Sequence, residues 1–134
     1  MTYLLDTNAI SDLIRGAAGI ESWLSSAGQE DSVVTCTIVR GEILFGIAEL
    51  PEGKRRRGLE ERARPLLGSP PCEPLPERAG DFYAAVKPAQ RRAGLVLDEN
   101  DLWIAATALA LGATLVSRDT DFSRIDGLPV LTLS

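Results

Sequence analysis

Short apolar runs alternate with segments of helical period along most of this chain, and that alternation restricts its fold more than any other feature. Tyr3-Leu4-Leu5, Val33-Val34-Thr35-Cys36, Thr114-Leu115-Val116-Ser117 and Pro129-Val130-Leu131-Thr132-Leu133 are predicted as strands. Between the first two, Ile10, Leu13 and Ile14, and then Ile20, Trp23, Leu24 and Ala27, recur at three- and four-residue spacing, with Gly16 and Gly28 as stop signals. Strands joined through helices run parallel, and a parallel sheet has to be covered on both faces. The expected fold class is α/β, a central parallel sheet flanked by helices, in a single domain over residues 1–134.

The remaining segments fit that frame. Thr37 to about Glu49 reads as a helix with Ile38, Phe45 and Ala48 along one face, Glu42 on the same face and directed toward the sheet, and Gly41 and Gly46 permitting close approach of a neighbour. Residues 52–67 form an Arg-rich surface helix that Pro65 is expected to bend or shorten. Gly68-Ser69-Pro70-Pro71 is a break, and the prolines at 74 and 76 permit at most a short edge strand around Cys72 to Leu75. A further helix starts near Ala79, carries Phe82, Tyr83 and Val86, is expected to kink at Pro88 and closes at Gly94. Residues 102–111 are apolar nearly all round, which a helix tolerates only when packed on several sides, and Gly112 stops it. Arg118 to Phe122 reads as a polar turn. The aromatic residues Trp23, Trp103, Tyr83 and the phenylalanines are assigned to the core and not to a surface for stacking bases.

The chain contains no histidine, which excludes His-bearing zinc sites, Ser-His-Asp triads and histidine general bases. Cys36 and Cys72 have neither zinc spacing nor the density of a disulfide framework and are expected as reduced thiols. No apolar run approaches the ~20 residues that span a bilayer, and the N-terminus lacks a basic signal region, so the expectation is a soluble cytoplasmic protein without membrane contact. The net charge of −5 runs against a nucleic-acid partner unless some acids are neutralised by bound cations, which invert the local field.

Asp6 and Asp119 each follow an apolar strand, where ligands collect in open parallel sheets, and Asp101 opens the apolar helix. Taken singly, Asp6 and Asp101 also read as helix caps, each contributing about 1 kcal/mol, and Asp119 as a turn residue. Glu42 favours the ligand reading, because a carboxylate among apolar residues must find a cation or neutralise; a salt bridge to an arginine is the alternative. Four carboxylates without imidazole or thiolate are hard oxygen donors suited to magnesium or manganese and to phosphate-ester chemistry.

Asp6-Thr7-Asn8-Ala9-Ile10-Ser11, Thr35-Cys36-Thr37-Ile38-Val39-Arg40-Gly41-Glu42, Asn100-Asp101-Leu102-Trp103-Ile104-Ala105-Ala106 and Leu115-Val116-Ser117-Arg118-Asp119-Thr120-Asp121-Phe122 resemble, in order and spacing, the four signature segments of VapC-like PIN domains. The resemblance implies a PIN-like α/β/α sandwich and an endoribonuclease that uses Mg²⁺, with Mn²⁺ as a substitute. It also implies RNA as substrate, a homodimer, and inhibition by a small VapB-like antitoxin. By position, Asp6, Glu42 and Asp101 match the family's metal-binding acids and Asp119 its more variable fourth. Asn8 and Ser117 match supporting polar positions, and Asp98 and Asp121 are neighbouring acids without an assigned part. Arg40 is placed to touch RNA phosphate or to pair with an acid, and Lys54-Arg55-Arg56-Arg57 reads as a solvated helix face. Pro65 and Pro88 depart from the family's uninterrupted helices. Two other readings compete: a haloacid-dehalogenase-like phosphatase, in which Asn8 stands where a second Asp is needed, and a PIN-like module that binds without cutting.

Overall fold

The computed structural model describes residues 1–95 and 97–133. Strands β1 (Thr2–Leu5), β2 (Ser32–Cys36), β3 (Cys72–Glu73), β4 (Thr114–Ser117) and β5 (Val130–Thr132) form one sheet in the order β3-β2-β1-β4-β5, every neighbouring pair parallel. β1 is central because Leu4 and Leu5, like Leu115 and Val116 of β4 beside it, are fully buried and gain most from cover on both faces. β3 stays a two-residue edge, as its flanking prolines dictate.

The helices are α1 (Thr7–Ile14), α2 (Ala18–Ser26), α3 (Thr37–Ala48), α4 (Lys54–Gly68), α5 (Glu77–Arg92) and α6 (Glu99–Leu111). α1 packs on α2, α3 and α4, whereas α5 packs along α6. The architecture is the expected α/β sandwich. α6 buries Leu102, Ile104, Ala105, Ala106, Thr107 and Ala108, and its alanines let neighbours approach closely on every side. Thr107 stays satisfied there by donating to the Trp103 carbonyl at 2.7 Å. Gly112, at φ +64°, ends the helix in the left-handed region that other residues occupy only under strain.

Several expectations change. α4 continues through Pro65 to Gly68 and α5 through Pro88 to Arg92. The carbonyls that lose a partner, on Glu61 and Ala84, belong to exposed residues. The inward face of α3 is Val39 and Ile43, one helical turn apart, not the stripe through Phe45 and Ala48. Phe45, two positions past Ile43, therefore points away from the sheet and is 65% exposed, and Gly41 and Gly46 face open space instead of a neighbour. Arg118 to Phe122 is more than a polar turn: Thr120–Arg124 form a 3-10 helix whose Phe122 is 1% exposed. Cys36 is buried, Cys72 exposed, and both are free thiols. Among the described residues no helix is long and apolar enough to cross a membrane.

Phe122 anchors the segment that follows β4 and holds Asp119 at the rim of the sheet. Phe122→Ala should lower the unfolding free energy by about 3–5 kcal/mol, measured by urea denaturation. A loss below about 1 kcal/mol would show that this anchor is unimportant.

Candidate active site

The parallel order sends the chain from β1 to β2 on one side and returns it to β4 on the other, so the crevice beyond the carboxyl ends of β1 and β4 is the sheet's switch point. Asp6 and Asp119 stand there: Asp6 directly follows β1, with its N–H bonded to the Val116 carbonyl at 3.2 Å, and Asp119 lies two residues past the end of β4. Asp6 is 3% exposed and caps α1, accepting from the Ala9 N–H at 2.8 Å. Asp119 caps the 3-10 helix, accepting from the Asp121 N–H at 2.9 Å, and its own N–H donates to the Ser117 hydroxyl at 3.0 Å. Ser117 is itself buried beside Asp6. The capping reading of Asp6 is thus correct, and the turn reading of Asp119 holds in that its carboxylate accepts from the N–H two residues on.

Glu42 reaches the same crevice from α3, although its helix does not aim it into the core. The Thr7 hydroxyl donates to Glu42 Oε1 at 2.5 Å and the Asn100 amide to Oε2 at 3.2 Å. Neither donor was singled out from sequence; each lies next to a matched acid, Thr7 after Asp6 and Asn100 before Asp101. No guanidinium pairs with Glu42 among the described residues, which removes the salt-bridge alternative.

Asp101 is not the cap of α6. Asp98 is, accepting the Asp101 N–H at 2.8 Å, which gives Asp98 its structural part. The Asp101 carboxylate consequently has no capping duty and no hydrogen-bond donor among the described residues. Burial, followed by the charges of Asp98, Glu42, Asp119 and Asp6, pushes its pKa up to about 7. Asp6 is raised as well, by burial first, with the Ser117 hydroxyl and the Ala9 N–H pulling it partly back and the charges of Asp119 and Asp12 adding to the rise. Asp12 itself is taken up by Arg15 and, at 3.7 Å, by Arg118.

These acids form one electrostatically coupled cluster, but not the ready-made shell that sequence reading anticipated. Among the described residues, no group of three or more His, Cys, Asp or Glu side chains is arranged to hold a single ion. The reason is local: carboxylates of like charge turn to the nearest N–H or O–H donors instead of toward one point. The donor set is nonetheless all oxygen and, among the described residues, unpaired with any side-chain cation, and burial raises Asp6 and Asp101 within it, which is the chemistry a hard divalent cation relieves. Asn8 sits half-buried on the first turn of α1 without a side-chain hydrogen bond among the described residues, and Asp121 contributes its backbone N–H to Asp119. Arg40 lies away from the acids, donating to the Leu67 carbonyl at 3.0 Å across the cleft between α3 and α4.

The chain is similar to known proteins along nearly its whole length. The PIN domain family model matches residues 3–128. Plasmid stability protein StbB of Pseudomonas syringae pv. tomato is 34% identical over 134 residues, covering 96% of this chain and 95% of its own length. VapC ribonuclease Y4jK of Sinorhizobium fredii is 31% identical over 134 residues, covering 96% and 94%. In fold, the crystal structure of VapBC2 from Rickettsia felis bound to a DNA fragment from their promoter superposes with a TM-score of 0.90 over 100% of both chains at 23% identity.

The raised Asp101 sets a pH dependence. Its folded pKa near 7 lies above the ordinary 3.8, so between those values the native state keeps a proton that the unfolded chain has released. Stability should fall as pH rises from about 4 to about 7 and level off above. Thermal melts across that range should show Asp101→Asn flattening the slope and raising Tm at about pH 8. An unchanged slope would place the strain elsewhere.

Proposed function

The chain belongs to the PIN domain family, in its VapC-like branch, and from that membership we propose that the whole of residues 1–134 is one nuclease domain, the endoribonuclease toxin of a toxin–antitoxin pair. The observation that carries the reading is Asp101: a half-buried carboxylate, surrounded by the charges of Asp98, Glu42, Asp119 and Asp6, with neither a cation nor a hydrogen-bond donor of its own among the described residues. A fold that keeps so costly a group at its ligand-binding rim has a use for it.

Asp6, Glu42, Asp101 and Asp119 would hold Mg²⁺, or Mn²⁺ in its place. The ion supplies positive charge against the phosphoryl oxygens of RNA and lowers the pKa of water for attack on phosphorus. The chain's own part is positional. Thr7 and Asn100 fix the Glu42 carboxylate, Ser117 and the Ala9 N–H fix Asp6, and the Asp98 cap frees Asp101. Asp101 has to give up its proton before it ligates, so ion binding strengthens as pH rises.

A VapB-like antitoxin is the proposed partner, with a homodimer and a cytoplasmic setting as the family resemblance implies. The cleft between α3 and α4 supports a protein partner: Leu44, Ile47 and Leu67 offer an apolar floor, and Arg40 and Arg64 stand beside the Arg56–Glu60 ion pair with positive charge suited to acidic side chains. The phosphatase alternative loses its footing, since Asn8 supplies no second acid and the family match runs elsewhere. The non-cutting module draws on the absence of a preformed three-acid shell among the described residues.

Purified protein should cut mixed RNA with manganese and stop on chelation; cleavage that persists in chelator would overturn the metal reading. Asp6→Asn should abolish cutting while circular dichroism stays unchanged. Manganese should also raise Tm at about pH 8 more than at about pH 5, because the protonated Asp101 does not ligate. A chain that binds RNA but never cuts it favours the silent module.

A further inference from the structure

Phe45 is the feature that neither the core nor the acid cluster absorbs. It is 65% exposed, while Val39 and Ile43 carry the packing of α3. Ile38, Gly41 and Phe45 lie along one face of that helix, at i, i+3 and i+7, and Glu42 is one turn before Phe45. Together with Thr37 and Asn100 these residues line a cleft of about 440 Å³. That volume is within the roughly 300–1,000 Å³ of small-ligand sites.

The cleft has the two halves of a nucleobase site. Phe45 and Ile38 form an apolar shelf, and Gly41 keeps it open, since a Cβ there would meet nothing within 4 Å. At the other end, Asn100 spends its amide N–H on Glu42, which leaves its amide oxygen to accept from a base edge. A phosphodiester held at the acids thus has its flanking nucleoside within reach of the shelf, because Glu42 and Asn100 border both. The net charge of −5 makes this affinity valuable, since stacking does not depend on attraction to phosphate.

We propose that Phe45 is the stacking platform for the nucleobase next to the cleaved bond, with Asn100 reading its edge, in single-stranded RNA. This rests on the nuclease reading above and names the part of the substrate the site grips. Phe45 acts by positioning: it touches the base, not the reacting phosphorus.

The test takes the full chain with short RNA strands, intact or carrying one abasic nucleotide walked along the sequence. An abasic nucleotide beside the cut bond should lower wild-type kcat/KM by about 10- to 100-fold, mostly through KM. Phe45→Ala should lose a similar factor on intact RNA and become indifferent to the abasic position. Phe45→Tyr should retain activity, and Gly41→Leu, which fills the shelf from open space, should reproduce the loss. Phe45→Ala that keeps the abasic penalty overturns the proposal. So does a loss explained by a changed mass in sedimentation, which would make the patch a protein interface. A binding arm separates this from failure of the nuclease reading. The indole emission of Phe45→Trp, with the wild-type signal subtracted, should be quenched by single-stranded oligonucleotides with uncharged methylphosphonate linkages. If no variant cuts RNA, the nuclease reading fails, and the quench alone decides: its presence keeps the shelf, and its absence sinks it.

Discussion

Like charge crowded into a half-buried crevice is the constraint around which this molecule is organised. Asp6, Glu42, Asp101 and Asp119 come from four separate stretches of chain, and for Asp6 and Asp101 burial and the neighbouring charges both raise the cost of ionising. No side-chain cation among the described residues offsets them. What makes the arrangement tolerable is backbone: the first turns of α1 and of the 3-10 helix supply N–H donors to Asp6 and Asp119. Glu42 is held instead by the Thr7 hydroxyl and the Asn100 amide, and Asp101, without a hydrogen-bond donor among the described residues, has the pKa raised to about 7.

The sheet makes that crowding possible. With β1 in the centre and β4 beside it, two strands deliver their acids to adjacent positions on one rim, and α6 begins at the same rim because Asp98 caps it there. The core then fixes the rim. Leu4, Leu5, Leu115, Val116 and Phe122 are buried directly behind the acids, so the cost of ionising them is borne by a well-packed scaffold. A loosely packed rim would let the carboxylates separate.

Much of this was legible from residue order. The apolar runs marked β1, β2, β4 and β5, because β-branched and leucine-rich segments bounded by glycine and proline have few other options, while the prolines at 74 and 76 left room only for the short edge at Cys72. The acids were legible by their place after strands and by four motif segments taken together. Helix α3 was not: its composition allows two apolar faces, and only contact with the rest of the fold selects Val39 and Ile43 over Phe45.

Sequence by itself determined the fold class and the family, because periodicity and residue type are local properties and the motif spacing is written in the chain. Tertiary structure decided the rest. It showed that Asp98 and not Asp101 caps α6, that Thr7 and Asn100 hold Glu42, and that the carboxylates are coupled through charge without forming a closed shell. Those outcomes depend on distances between residues remote in sequence, where small differences in burial and in the nearest donor settle which way a carboxylate turns.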